Sequence, residues 1–245
     1  MNSDKKIEYI TNWIKQYANS LIFQPPSLVI GVSGGIDSAV TSTLCAKTGF
    51  KTIAISMPIK QNSSQHDLSI KHLDWLKNNF DNVKTLTIDL DKVFDSFSSL
   101  MKDFNNTLAF ANSRSRLRMI TLYQVAQAKK GIVVGTGNKV EDFGVGFYTK
   151  YGDGGVDISP IADCNKTEIW EIGKELNILK EIIDAPPTDG LWDDGRTDEG
   201  QLGMSYNDIE LAMNDPESPN REKYEKIRLL NLHKMEPIPI CKIPR

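Results

Sequence analysis

Hydrophobic and polar positions alternate along this chain with two different periods. Ile7, Ile10, Ile14 and Tyr17 recur at helical spacing, so the N-terminal segment reads as an amphipathic helix. SLVIGVS (27–33) breaks that period and reads as a buried strand. A helix is predicted from Ser38 through Lys47, with Gly49 placed to end it, and KTIAISMPI (51–59) reads as a second strand. Beyond the polar stretch KQNSSQ, LSIKHLDWLKNNF is helical in period and VKTLTIDL is strand-like. Two helical stretches then run from about Lys92 to Lys130, and GIVVGTG is another short apolar strand.

This β-α-β-α-β-α-β order predicts the α/β class. Parallel strands joined by helices need crossovers of right-handed sense, so the expected architecture is a Rossmann-like three-layer α/β/α fold. It has a parallel sheet of about five strands. Residues 1–245 read as a single domain, without internal repeat or linker. Ligands in such sheets sit at the carboxyl ends of the strands, where GVSGGIDS and VVGTGNKVE both fall. Residues 138–165 are glycine-rich and show little periodicity. Loops longer than about 15 residues are uncommon in compact domains, so a functional segment is expected there. PPTDGLWDDGRTDEGQLG (186–203) reads as a mobile flap.

Composition narrows the function. A chain of 245 residues with 40% hydrophobic content can bury a full core, and a net charge of −3 gives no push toward nucleic acid or anionic membrane. The N-terminus lacks the apolar core and cleavage site of a signal peptide, and no later run is long enough to span a bilayer. The cytoplasm is therefore the expected compartment. Cys45, Cys164 and Cys241 never form C-x-x-C and read as reduced thiols.

The chemistry concentrates in GVSGGIDS. Main-chain N–H groups of Gly34, Gly35 and Ile36, with those opening the next helix, would form an anion-binding concavity, to which Ser33 and Ser38 would add hydroxyl donors. The loop lacks the Walker lysine and the G-x-G-x-x-G spacing. A tight strand-to-helix turn, with Asp37 merely favoured by the helix dipole, is the competing reading. A carboxylate among phosphate donors repels the anion unless a cation lies between them. Mg²⁺ takes one or two carboxylates plus phosphate oxygens, which makes Asp37 and Glu141 candidate ligands; for Glu141 the competing reading is a solvated loop carboxylate. In NKTE, Asn165 reads as an N-cap with Glu168 at the reciprocal position. Lys166 then lies in a first turn, where the dipole disfavours a cation, and a residue set against its local preference points to function. Met57 and Gln61 are secondary candidates for contact with an adenine edge.

SGGIDS (33–38) resembles the S-G-G-x-D-S signature of the ATP pyrophosphatases, which cleave ATP between the α and β phosphates. NSRSRLRM, GTGNKVE, FYTKYGDGGVDISPI, NKTEIWEIGKEL, PPTDGLW, TDEGQLG and HKMEPIPI follow in the order seen in ammonia-dependent NAD synthetases, and YTKYGDGG is the most specific of them. The resemblance covers nearly the whole chain. It implies an adenine nucleotide α-hydrolase-like fold with ATP as co-substrate, its phosphates held by Gly31, Val32, Ser33, Gly34, Gly35, Ile36, Asp37 and Ser38. Thr136, Lys166 and Thr188 would also contact ATP. Asp37 and Glu141 would hold Mg²⁺ and act catalytically with Lys166.

Deamido-NAD would meet Arg116, Lys150, Asp157, His233 and Lys234, and ammonia would be the nitrogen donor. His233 and Lys234 also end a helical stretch, where positive charge is favoured in any case. Which of Arg114, Arg116 and Arg118 meets the substrate stays open, since Arg114 and Arg118 share a helix face that Arg116 does not. Gly137-Asn138 stands where relatives often carry Asp-His.

The family is a homodimer with deamido-NAD near the subunit interface. Here the apolar face of the first helix and FGVGFYTKY offer surface for that contact. The implied reaction needs no protein nucleophile, because ATP activates the carboxylate and ammonia displaces AMP from the acyl adenylate. An RNA-modifying ATP pyrophosphatase would need a basic appendage and usually a cysteine pair, neither of which is visible. A non-catalytic nucleotide sensor would have no reason to keep Asp37, Glu141 and Lys166 together. Use of glutamine would require a further domain with its own nucleophile, and none is expected from this chain.

Overall fold

The structure, a computed structural model, describes residues 1–22, 26–61, 63–188, 190–191 and 196–244. Its centre is a parallel sheet of four strands: β1 (Ser27–Gly31), β2 (Thr52–Ser56), β3 (Val83–Thr87) and β4 (Gly131–Val134), in the spatial order β3-β2-β1-β4. Leu28 pairs with Thr52 on one side of β1 and with Ile132 on the other. Among the described residues the sheet has four strands, close to the about five expected. Beyond β4 the pairing shrinks to one parallel bridge between Val134 and Ile158, because the chain there emerges from a glycine-rich loop and meets Pro160, which has no N–H to give to a ladder.

Alternate residues of the central strands point to opposite faces, as the period of two requires. Leu28, Ile30, Ala54, Ile132 and Val134 face α1 (Ser3–Ser20), α2 (Ile36–Lys47), α3 (Ser63–Asn79) and α6 (Lys166–Glu175). Val29, Ile53, Ile55 and Val133 face α4 (Asp91–Leu100) and α5 (Thr107–Ala128). The three-layer α/β/α architecture follows from these two apolar faces. α2 is buried almost all round, since it lies under α1 and α6 as well as on the sheet. Close approach to α6 requires Gly173, where a Cβ would meet Ile36 Cδ1 at 2.7 Å.

The apolar face of α1 is spent inside the fold. Ile7, Ile10 and Ile14 are buried against α2 and α6, so that face is not available to a second subunit, contrary to expectation. After α6 come α7 (Lys180–Ile183), α8 (Asp198–Leu202), α9 (Tyr206–Asn214) and α10 (Arg221–Met235). A separate small core joins α8, α9 and α10 to a π-helical turn, Lys139–Val145. No helix among the described residues is long and apolar enough to cross a membrane.

Strand order reverses between β1 and β4, since their outward connections run to opposite sides of the sheet. Such a switch point opens a crevice at the carboxyl ends of the two strands, and the segments after β1 and β4 meet there.

Candidate active site

The loop after β1 turns through Gly34, whose φ of 93° lies in the region glycine enters without strain. Gly35 is the extended N-cap of α2 and supplies no side chain, so the opening N–H groups of the helix carry no side-chain cap. The two serines are hydrogen-bonded within the loop. Ser38 Oγ donates to Gly35 O at 2.9 Å and accepts from Ser33 N–H at 3.2 Å, while Ser33 Oγ accepts from Gly35 N–H at 3.3 Å. Their hydroxyls thus brace the curvature of the loop beside the open N-terminus of α2.

Three elements deliver one ionic cluster. Asp37 comes from the first turn of α2, Glu141 from the π-helical turn and Lys166 from the start of α6, where Glu168 Oε2 accepts from Asn165 N–H at 2.8 Å in a capping box. Lys166 is 2% exposed. Its Nζ bonds Asp37 Oδ2 and lies 2.8 Å from Glu141 Oε1. Burial alone would strip its charge, but the two carboxylates more than offset that and hold the ammonium above its ordinary range. Burial also favours protonation of Glu141, yet Lys166 and its hydrogen bonds overcome it and keep the carboxyl below its usual range. At Asp37 burial prevails over Lys166, and the neighbouring Glu141 charge adds to it, so that carboxyl is raised.

Asn138 and Tyr206 complete the cluster, and neither is indicated by residue type alone. Asn138, fully buried, donates through Nδ2 to Asp37 Oδ1 at 3.1 Å. Its Oδ1 accepts from the N–H groups of Val140 and Glu141, both at 3.0 Å, and so caps the π-helical turn. An Asn beside a glycine and just ahead of a Glu-bearing turn is an N-cap signal that could have identified it. Tyr206 OH donates to Glu141 Oε1 at 2.5 Å.

A cavity of about 670 Å³ opens over this cluster, and most of the expected residues line it. Gly31, Val32, Ser33, Gly35, Ile36, Asp37 and Ser38 form one wall; Thr136, Glu141 and Thr188 lie opposite, and Met57 and Gln61 border it beyond β2. Arg116, Lys150, His233 and Lys234 surround its outer part. Gly34 and Lys166 are buried and do not line it.

Asp157 is not brought to the cavity. Its Oδ2 accepts from Val133 N–H at 2.7 Å and its Oδ1 from Tyr123 OH at 3.1 Å, which fastens the outer edge of β4. The three arginines diverge. Arg114 Nη1 donates to Leu191 O at 2.6 Å over the Phe94 ring, Arg118 Nε donates to Met57 O at 3.0 Å, and Arg116 Nε donates to Lys150 O at 3.2 Å. Arg116 and Arg118 both line the cavity.

The far side is closed by α10. Arg228 Nη1 donates to Gly144 O (2.7 Å), Asn231 Nδ2 to Val145 O (3.0 Å) and Lys234 Nζ to Tyr148 O (2.8 Å). Residues three apart on one helical face thereby satisfy three carbonyls at the end of the turn that carries Glu141 and just beyond it. In the expected flap, residues 189 and 192–195 lie outside the described residues. Elsewhere in it Asp198 N–H donates to Pro187 O at 3.0 Å.

A family model described as NAD synthase matches residues 6–239. The NH(3)-dependent NAD(+) synthetase of Carboxydothermus hydrogenoformans is 37% identical over 218 residues, covering 86% of this chain and 85% of the relative. Among solved structures, the NMN synthetase of Francisella tularensis superposes with a TM-score of 0.91 at 30% identity, covering 99% of this chain and all of that one. The NH3-dependent NAD synthetase of Campylobacter jejuni superposes at 0.80 and 24% identity, covering 99% and 100%, and so shares the fold. A phosphate-loop cavity lined by Asp37 and Glu141, with Lys166 buried between their carboxylates, in a chain matched almost end to end, is accounted for by one conclusion: the chain belongs to the NAD synthase family.

Proposed function

We propose that this chain, acting as one domain, converts deamido-NAD to NAD with ATP and ammonia, releasing AMP and pyrophosphate. The observation that carries the reading is buried Lys166 bridging Asp37 and Glu141, two carboxylates that line the cavity beside a phosphate-type loop. A carboxylate is a poor electrophile. Transfer of AMP to it makes the leaving group that ammonia can displace, so the protein has to align two anions and neutralise charge on the departing pyrophosphate. The opening N–H groups of α2 and the Lys166 ammonium supply that charge, and Arg116, Arg118, Lys150 and Lys234 give the outer cavity a cationic rim for the second substrate.

The donor set fits Mg²⁺. Among the described residues no group of three or more His, Cys, Asp or Glu side chains is arranged to hold a metal, whereas Asp37 and Glu141 converge on a common cation. Two carboxylates are what Mg²⁺ takes when nucleotide phosphates complete its shell. Bound there, it would supply Lewis-acid neutralisation of the phosphate oxygens.

The assembly proposed is a cytoplasmic homodimer. Phe104, Leu108, Ile120 and Tyr123 are exposed along α5 and its approach, and Phe143 and Tyr151 beside the cavity, so apolar surface is available although the α1 face is not.

One observation favours a second substrate. The NMN synthetase of Francisella tularensis superposes more closely than the NAD synthetase of Campylobacter jejuni, which raises the mononucleotide, rather than the dinucleotide, as the acid amidated. Purified protein with Mg-ATP and ammonium should be given deamido-NAD and nicotinate mononucleotide in parallel. AMP formed one-to-one with NAD supports the first reading, AMP formed only with the mononucleotide supports the second, and ADP in place of AMP ends both.

A further inference from the structure

Tyr206 opens α9 and is 1% exposed, its ring packed edge-on to Trp170 at 5.8 Å with the Lys166 ammonium 5.0 Å from its centroid. Packing would be equally served by phenylalanine. The hydroxyl, however, points at charge: it lies 2.5 Å from Glu141 Oε1, the same oxygen that Lys166 Nζ reaches at 2.8 Å, and 3.4 Å from Asp198 Oδ2. A phenol has one proton, and these distances assign it to Glu141. Two donors on one oxygen from fixed elements leave the Glu141 carboxylate little freedom to rotate.

We propose that Tyr206 is a positioning residue that holds Glu141 in the orientation from which, with Asp37, it takes a divalent cation. The inference rests on the reading of Asp37 and Glu141 as the Mg²⁺ pair. It adds a tether from the small C-terminal core to the cation site. Tyr206 N–H also donates to Glu199 Oε1 at 2.9 Å, so α8 and α9 are locked where the hydroxyl needs to be. Loss of such a partner behind a metal ligand typically weakens metal binding by about 10–100-fold.

The test is calorimetric titration of Mg²⁺ into the full chain saturated with α,β-methylene-ATP, for the wild type, Tyr206→Phe, Glu141→Gln and the double variant. Tyr206→Phe is expected to bind Mg²⁺ at least about 10-fold more weakly at a retained melting temperature, with no further loss when added to Glu141→Gln. Unchanged Mg²⁺ affinity in a folded Tyr206→Phe overturns the inference alone. A wild type that binds no Mg²⁺ with the nucleotide overturns the cation site itself, and the inference with it. Should Tyr206→Phe not fold, the wild type decides. Its Tyr206 hydroxyl proton, assigned by tyrosine labelling, should resonate far downfield and shift when Mg²⁺ is added, and an unshifted resonance refutes the role.

Discussion

Asn138 bridges the two carboxylates of the site: its Nδ2 stands 3.1 Å from Asp37 Oδ1 while its Oδ1 caps the turn that carries Glu141. One amide therefore sets the separation of α2 from the π-helical turn. Asn138→Asp keeps an N-cap acceptor but replaces the donor to Asp37 with a like charge. Turnover should fall about 10–100-fold with the cap preserved, whereas Asn138→Ala should also lose on the order of 1 kcal/mol of stability. Steady-state rates and denaturant unfolding of the two variants check this, and wild-type rates in Asn138→Asp would remove the residue from the site.

If Asp37 and Glu141 share a cation, Asp37→Asn and Glu141→Gln should each lower turnover by at least about 100-fold, the loss of several kcal/mol of charge stabilisation in the transition state. Each variant also leaves Lys166 with one carboxylate instead of two. Near-normal turnover in either, at saturating Mg-ATP, would show that its carboxylate is not engaged.

His72 gives the fold an acid-sensitive point. It is fully buried, with Nε2 3.0 Å from Ser42 Oγ, and burial lowers its pKa from 6.5 to about 4. Between those values the unfolded chain binds the proton and the folded chain does not, so stability rises with pH through the window and is lost as pH falls from 6.5 toward 4. The loss is on the order of 3 kcal/mol. His72→Gln should be less stable than the wild type at pH 7, with the gap narrowing by that amount at pH 4. A gap independent of pH in denaturant unfolding would contradict the assignment.

The nitrogen donor can be checked through the thiols. Burial pushes Cys45 up to about 12 and Cys164 up to about 11, so neither is a thiolate near neutral pH, and Cys241 is exposed near the C-terminus. Alanine at each position should leave synthesis from ammonium salts within about 3-fold of the wild type, and ammonia-free glutamine should not support it. Glutamine-dependent synthesis abolished by one of these substitutions would identify a nucleophile.

Much of this site lay open in the linear chain because it depends on local rules. The strands at 27–31, 52–56 and 131–134 announce themselves as apolar runs and 83–87 as a Val/Thr-rich stretch, and the capping box at Asn165 and Glu168 is a spacing within one turn. The glycine-rich 138–165 segment was harder. Its π-helical turn has no side-chain period of its own, and it stands because Asn138 caps one end and Gly146, at φ 69°, ends the other. The α1 stripe was legible as apolar, but not its destination inside the monomer.

The α/β order and the loop after β1 are written in the linear chain, since both rest on residue type and near-neighbour spacing, and the family resemblance adds Asp37, Glu141 and Lys166 as a set worth testing. The folded chain is what places Lys166 between the two carboxylates, has Asn138 and Tyr206 hold them, fastens Asp157 to β4 away from the cavity, and adds one bridge from Ile158 beside β4. These contacts join residues 24 to more than 100 positions apart. Their geometry comes from packing two apolar faces of one sheet and a small C-terminal core against each other, and no period along the chain encodes a distance across it.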